Sequence, residues 1–169
     1  MSRLGSNVKE VTDMADLDFR RHVSFFATGV AVISGEDAAG SVHGVTVNSF
    51  GSVSLEPPTV MVSLRPGRAM EIVESTGRYG ASILTQSQQH ASNHFAGNRD
   101  NSEQPTFLTR LEVPTLETCL AWFECEVLDS FTVNDHVLFP ARVTACGSAE
   151  GDPLIFFASQ YHSSPNRLG

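Results

Sequence analysis

The sequence predicts a mainly β fold, a closed antiparallel barrel with α-helices on its periphery. Two observations predict it. Short β-rich runs follow one another in hairpin order, separated by turn residues, where a doubly wound parallel sheet would need helices between its strands. The chain has 169 residues, 41% of them hydrophobic, which suits one domain around one core. That domain is assigned to residues 16–169, and residues 1–15 to a flexible leader. Met1 to Thr12 has two early bases but no apolar run behind them, so it reads as neither signal peptide nor membrane anchor.

The elements follow in order. Between Asp13 and Gly29, the apolar Phe19, Val23 and Phe26 fall at i, i+4 and i+7, which predicts an amphipathic helix stopped by Gly29. Val30 to Ser34 and Val42 to Val47, joined by Gly35 to Gly40, read as a hairpin. Gly51 to Leu55 and Thr59 to Leu64 are strands divided by Glu56-Pro57-Pro58. The second of these and Tyr79 to Leu84 are nearly all apolar and read as central strands on either side of a helix around Ala69 to Ser75. A helix over Ser87 to Phe95 leads into a polar segment, Ala96 to Thr106, which reads as a mobile loop. Ala121 to Val133, Val137 to Cys146 and Leu154 to Ala158 complete the strands. In the first of these, Phe123, Cys125 and Val127 alternate with Trp122, Glu124 and Glu126, which predicts one wet face.

Composition narrows function. Asp and Glu number 19 against 11 Lys and Arg, and the basic residues are scattered, so no positive face is available for nucleic acid. A nucleotide cofactor would have to be held by a local set of amides and arginines. The three cysteines, Cys119, Cys125 and Cys146, lack a C-x-x-C pair and read as small buried apolar residues in a reducing cytosol. His43, His90 and His94 place only the last two on one helical turn and bring no companion ligands, so no metal site is assigned.

The sequence has no G-x-G-x-x-G, P-loop, H-E-x-x-H or G-x-S-x-G. What stands out is the small, hydroxyl-rich run from His43 to Phe50, followed by Ser52 to Leu64. An isoalloxazine needs an apolar slot, donors for its pyrimidine carbonyls, and polar atoms along its ribityl-phosphate chain. Gly44 would allow close backbone approach, Thr46, Asn48, Ser49 and Ser63 would supply polar atoms, and Arg65 and Arg68 would meet phosphates. The same residues also suit ordinary strand ends and turns.

Several stretches together resemble the flavin reductases of two-component monooxygenases, whose fold is the FMN-binding split barrel. These are Phe19-Arg20, Ala27 to Ile33, Gly44 to Phe50, Ser52 to Pro58, Phe95-Ala96, Cys125, Asp135-His136, Pro153-Leu154 and Tyr161, and they span nearly the whole chain from Phe19. The resemblance implies an NAD(P)H-dependent enzyme that reduces FAD or FMN and supplies diffusible reduced flavin to a partner monooxygenase. It leans to FAD, and to NADH over NADPH because no basic cluster near Tyr161 would pair with a 2′-phosphate. It places Val42, His43, Gly44, Val45, Thr46, Asn48 and Ser49 along the flavin, with Ser63, Leu64 and Arg65 near its ribityl and phosphate groups. Arg68, Ala69, His94 and Phe95 close the other side. The nicotinamide lies near His136 and the Ser159-Gln160-Tyr161 run, with His136 orienting it; a structural turn histidine is the other reading of that residue. Asn134 stands where the family has glycine, and Asn adopts a left-handed turn almost as glycine does. The resemblance also implies a cytoplasmic homodimer. An electron carrier with tightly bound FMN and a non-catalytic flavin-binding barrel are the alternatives.

Overall fold

The computed structural model describes residues 19–98 and 104–163; the leader and residues 99–103 of the predicted loop lie outside them. α1 (Phe19–Val23) precedes β1 (Thr28–Gly29), β2 (Ala31–Glu36), β3 (Val42–Val47), β4 (Gly51–Leu55) and β5 (Pro58–Leu64). α2 (Arg68–Thr76), β6 (Arg78–Ile83), a 3-10 turn (Gln86–Gln88) and α3 (Gln89–Phe95) come next. The remainder is built of strands: β7 (Phe107–Thr109), β8 (Pro114–Leu116), β9 (Ala121–Val127), β10 (Phe131–Val133), β11 (His136–Ser148), β12 (Ile155–Phe157) and β13 (Gln160–His162).

One antiparallel sheet runs β3-β2-β6-β9-β11-β5-β4, with β10 paired to β11. Only Asn48 to Phe50 join its two outer strands, β3 and β4. Laid flat, six strand spacings of about 4.8 Å would hold those edges about 29 Å apart. The chain from Val47 to Gly51 reaches about 14 Å at most. The sheet must therefore curl toward a barrel, with a seam where β3 and β4 approach. Its interior holds Ile33, Val62, Tyr79, Ala81, Cys125 and Phe139, capped by Val73 of α2. Phe50, in the short connection, stacks its ring 5.4 Å from that of Phe123. Burial pushes the Cys125 thiol up to about 12, so it serves as an apolar strand residue.

A second cluster lies on the outside of the sheet, where Val30, Val32, Leu84, Leu116 and Leu154 pack with Phe95, Trp122, Phe156 and Tyr161. It corrects the expectation of a wet face on β9. Glu124 is 1% exposed. Its carboxylate accepts the backbone N–H groups of Leu111, Glu112 and Val113 at 2.9, 2.8 and 3.3 Å. Ser82 Oγ accepts Leu116 N–H at 2.9 Å, and Ser34 Oγ donates to Pro114 O at 2.5 Å. The polar residues of this face thus satisfy the backbone of β8 and the loop before it, where the alternation implied water. β8 comes so close that a Cβ on Gly80 would sit 2.2 Å from Pro114 O, and only glycine leaves that room.

Other expectations are also corrected. Asp13 to Asp18 of the expected first helix lie outside the described residues; among the described ones α1 spans Phe19–Val23 with none buried, and Phe26 is 77% exposed. Ser24, Phe25 and Phe26 still donate back to Arg20, His22 and Val23 as turns, but Thr28 and Gly29 pair with Phe156 and Ile155, and Ala158 N donates to Ser24 O. Cys146 is exposed, because it lies on the outward side of β11. The hairpins β7–β8 and β12–β13 were not predicted.

Candidate active site

The ends of β3 and β5, the start of α2 and the β10–β11 turn converge on a groove of about 470 Å³. β3 and the connection after it contribute His43, Gly44, Val45, Thr46, Asn48 and Ser49; β5 and its end contribute Ser63, Leu64 and Arg65; α2 contributes Arg68 and Ala69. His136 lines the same groove from β11. Val47, Pro66, Gly67 and Met70, which the sequence reading did not single out, also line it.

Each wall is fixed by bonds that can be traced to its residues. Ser49 Oγ donates to Ser63 O at 2.9 Å and accepts Ser63 N–H at 3.2 Å, which ties the seam side of β3 to β5. Thr46 Oγ1 donates to Ser92 O of α3 at 2.7 Å. These hydroxyls are therefore partly committed to the scaffold, and only their remaining lone pairs are free for a ligand. Gly44 has a role besides the expected one: a Cβ there would lie 2.8 Å from the Phe95 ring and 3.2 Å from Val32, so the chain itself requires the bare Cα.

The phosphate end of the groove is set by α2. Its first helical bond runs from Glu71 N–H to Gly67 O, and Gly67 offers no side-chain cap. The N–H groups of Arg68, Ala69 and Met70 therefore have no intrahelical partner and meet the positive end of the helix dipole. Arg65 and Arg68 stand beside them. Arg68 Nη2 donates to Asp37 Oδ2 at 2.9 Å, and Nη1 to Glu71 Oε2 at 3.4 Å. Asp37 organises this lip. Oδ1 accepts the amides of Ala39 and Ser41, while Oδ2 faces Arg68 and, at 3.1 Å, His43 Nε2. The Ser41 amide foremost, then the Arg68 guanidinium, hold its carboxyl well below the usual carboxylate range. An uncapped helix start with two guanidinium groups fits the phosphate of a flavin nucleotide.

His136 stands on the opposite lip. Its Nδ1 lies 2.9 Å from Asp135 Oδ1, and Asp135 Oδ2 lies 3.8 Å from Arg65 Nε, so a chain of polar side chains spans the rim. The His136 bond lowers the Asp135 carboxyl below its ordinary value. Asn134 has φ 53°, so the left-handed turn expected of it is formed.

Not all the anticipated residues meet in the groove. Val42, His94 and Phe95 line an adjoining cavity of about 400 Å³ that shares His43 and Gly44 with it. Tyr161 lines another, of about 180 Å³, with Val30, Thr46, Val47, Asn48 and Phe156. Ser159 and Gln160 lie on the exposed β12–β13 hairpin, where Ala158 and Ser159 have φ of 51° and 62°. Sequence reasoning missed Asp37 and Ser92. The first could have been found as an Asx-turn residue opening the hairpin loop; the second left no local signal, since its partners are 46 and 69 residues away. Among the described residues, no group of three His, Cys, Asp or Glu is placed to hold a metal ion.

Residues 22–165 match the model of the flavin reductase-like domain. The chain is 50% identical over 157 residues to the NADH-dependent flavin reductase StyB of Pseudomonas fluorescens, covering 90% of this chain and 92% of that protein. It is 36% identical over 154 residues to an NADH-dependent flavin reductase of Rhodococcus, covering 89% and 88%. The similar solved structures include the styrene monooxygenase flavin reductase of Pseudomonas putida S12, with a TM-score of 0.85 at 50% identity over 90% of this chain and all of that one.

Proposed function

The chain belongs to the flavin reductase-like domain family, and from that membership we infer that it is an NADH-dependent flavin reductase that supplies reduced flavin to a partner monooxygenase. The observation that carries the reading is one groove with a phosphate-receiving end at Arg65, Arg68 and the start of α2, a β3 wall of backbone and small side chains, and His136 on the lip linked to Arg65 through Asp135. Bound flavin and nicotinamide supply the hydride chemistry between them, so no side chain has to exchange a proton at the reacting atoms.

The protein's part is to bind and to orient. The free amides of α2 and the two guanidinium groups receive phosphate, and β3 presents backbone donors and acceptors to the polar edge of the ring. His136, steadied by Asp135, and Tyr161 orient the nicotinamide at the open face, which holds two reactants in a near-attack arrangement. Both guanidinium groups are largely exposed and already ion-paired, which suits a flavin held firmly enough to react and loosely enough to leave. FAD is taken over FMN as the preferred flavin.

A homodimer belongs to the proposal, because Phe19, Val23, Phe25 and Phe26 are all exposed around α1 and form an apolar surface for a second copy. A cytoplasmic location belongs to it as well: the three cysteines are free, and NADH is drawn from that compartment. Among the described residues, no helix is long and apolar enough to cross a membrane.

The test is anaerobic titration with NADH of the protein in the presence of a large excess of FAD, then of FMN. Bleaching of the whole flavin pool is expected. Bleaching that stops at one flavin per chain would instead identify an electron carrier with resident FMN, and no bleaching a non-catalytic barrel.

A further inference from the structure

Ser92 is wholly buried in α3 and joins two elements far from it in sequence. Its hydroxyl shares a 2.7 Å hydrogen bond with the Tyr161 phenol, and its carbonyl accepts the 2.7 Å bond from Thr46 Oγ1. Tyr161 shares its small cavity with Thr46, Val47 and Asn48, and those same three residues line the main groove. One residue therefore sets the distance between the β3 wall and the C-terminal hairpin.

The hairpin needs such an anchor. β13 has three residues and pairs only with β12, which in turn pairs with the two-residue β1, so the small sheet exerts little hold on a side chain at its edge. The Tyr161 ring packs in the outer cluster with a 5.5 Å edge contact to Phe156, apolar contacts that leave the direction of its hydroxyl to the bond with Ser92. Burying a hydroxyl is unfavourable unless it is bonded, and serine is a poorer helix former than alanine, so the side chain at this position acts through that bond.

We propose that Ser92 is a positioning residue for nicotinamide binding: by holding the Tyr161 phenol while its carbonyl holds Thr46, it keeps the nicotinamide side of the site in register with the flavin side. The proposal rests on the assignment of the groove to flavin and of Tyr161 to nicotinamide given above. It separates two functions of one residue, since Ser92→Ala removes the hydroxyl and leaves the carbonyl bond to Thr46 intact.

The test compares the full-length wild type with Ser92→Ala, Tyr161→Phe, the double variant and Tyr161→Ala. Ser92→Ala raises the KM for NADH about fivefold, the worth of one ordinary hydrogen bond, with kcat held and flavin affinity and melting temperature close to wild type. Tyr161→Phe gives a similar rise in KM, and the double variant is no worse than either single one, because the two changes remove opposite ends of one bond. A readout without cofactors comes from tyrosine labelled with ¹³C at the ring: the chain has two tyrosines, and Ser92→Ala moves the Tyr161 signal while leaving that of Tyr79 in place. The proposal is overturned if Ser92→Ala weakens flavin and NADH alike, if the two single effects add in the double variant, or if the Tyr161 signal stays put. If Tyr161→Ala leaves the KM for NADH unchanged, the assignment of Tyr161 falls and the role of Ser92 falls with it. If Tyr161→Ala raises KM while Ser92→Ala does not, only the role of Ser92 falls.

Discussion

Replacing Arg65 and Arg68 with methionine tests the phosphate end of the groove while keeping most of each side chain's apolar length. Arg65 is 74% exposed and its one ion pair, to Asp135, is a loose 3.8 Å. Arg68 is 56% exposed and shares its charge between Asp37 at 2.9 Å and Glu71 at 3.4 Å. Both therefore act in water-like surroundings, where unit charges about 4 Å apart shift an equilibrium about fivefold. Arg65→Met should accordingly raise the dissociation constant for FMN or FAD about fivefold. Arg68→Met should do so by about threefold, since two carboxylates already offset part of its charge. The sites are close enough to couple, so the double variant should lose between about tenfold and the simple product. Riboflavin lacks the phosphate, and its affinity should not change. The assay is quenching of flavin fluorescence on titration with protein, at low salt and again at about 1 M, where a Debye length of about 3 Å should erase most of the difference. Weakening of riboflavin by the same factor as FMN, or unaltered FMN binding in the double variant, would refute the reasoning.

Three further outcomes are expected. His136→Ala should lower NADH turnover with flavin affinity nearly intact, and stopped-flow reduction at the wild-type rate would remove His136 from the mechanism. Glu124→Ala should cost about 3 kcal/mol of stability, because the buried Val113 amide loses its partner and two more charge-assisted bonds are lost; a wild-type urea midpoint would contradict this. Asp37→Asn keeps a carbonyl oxygen for the Ala39 and Ser41 amides but loses the ion pair to Arg68. Because the wild-type carboxyl is held below its ordinary value, its stabilising effect is complete above the unfolded-state value and fades as pH falls through the folded one. The gap in urea midpoint between wild type and variant should thus be widest above about pH 5 and shrink toward pH 2, and a gap that widens in acid would reverse the assignment.

The strands of the sheet were legible wherever their signal was local. β2, β3, β5, β6 and β11 carry apolar runs or turn residues that depend on nothing distant, and their bounds shift by only a few residues. β9 begins where expected at Ala121, but the single strand expected as far as Val133 breaks after Val127 and resumes as β10, and the fate of its polar side was not legible, because Glu124 reads as solvent-facing until the amides of residues 111–113 are seen to fold over it. The same cover explains why β7 and β8 went unseen: they form by docking onto Ser34, Ser82 and Glu124, and their own sequence has little β periodicity. The first helix is present over Phe19–Val23 but does not continue toward Gly29. Its apolar spacing is genuine, but after Val23 only turn bonds from Ser24, Phe25 and Phe26 continue it, and the chain then pairs at Thr28 and Gly29 with the β12 edge. Within the site, the β3, β5 and α2 residues came from contiguous stretches, so the resemblance could carry them as blocks. Ser92 and Asp37 act through contacts that only the tertiary structure creates.

The most direct measurement is a crystal structure of the protein with FAD bound. It should show the ring against β3 between Gly44 and Asn48, the phosphates at Arg65, Arg68 and the first turn of α2, and the outer ring face open toward His136 and Tyr161. A flavin seated anywhere else, or a groove closed by the chain's own side chains, would contradict the account.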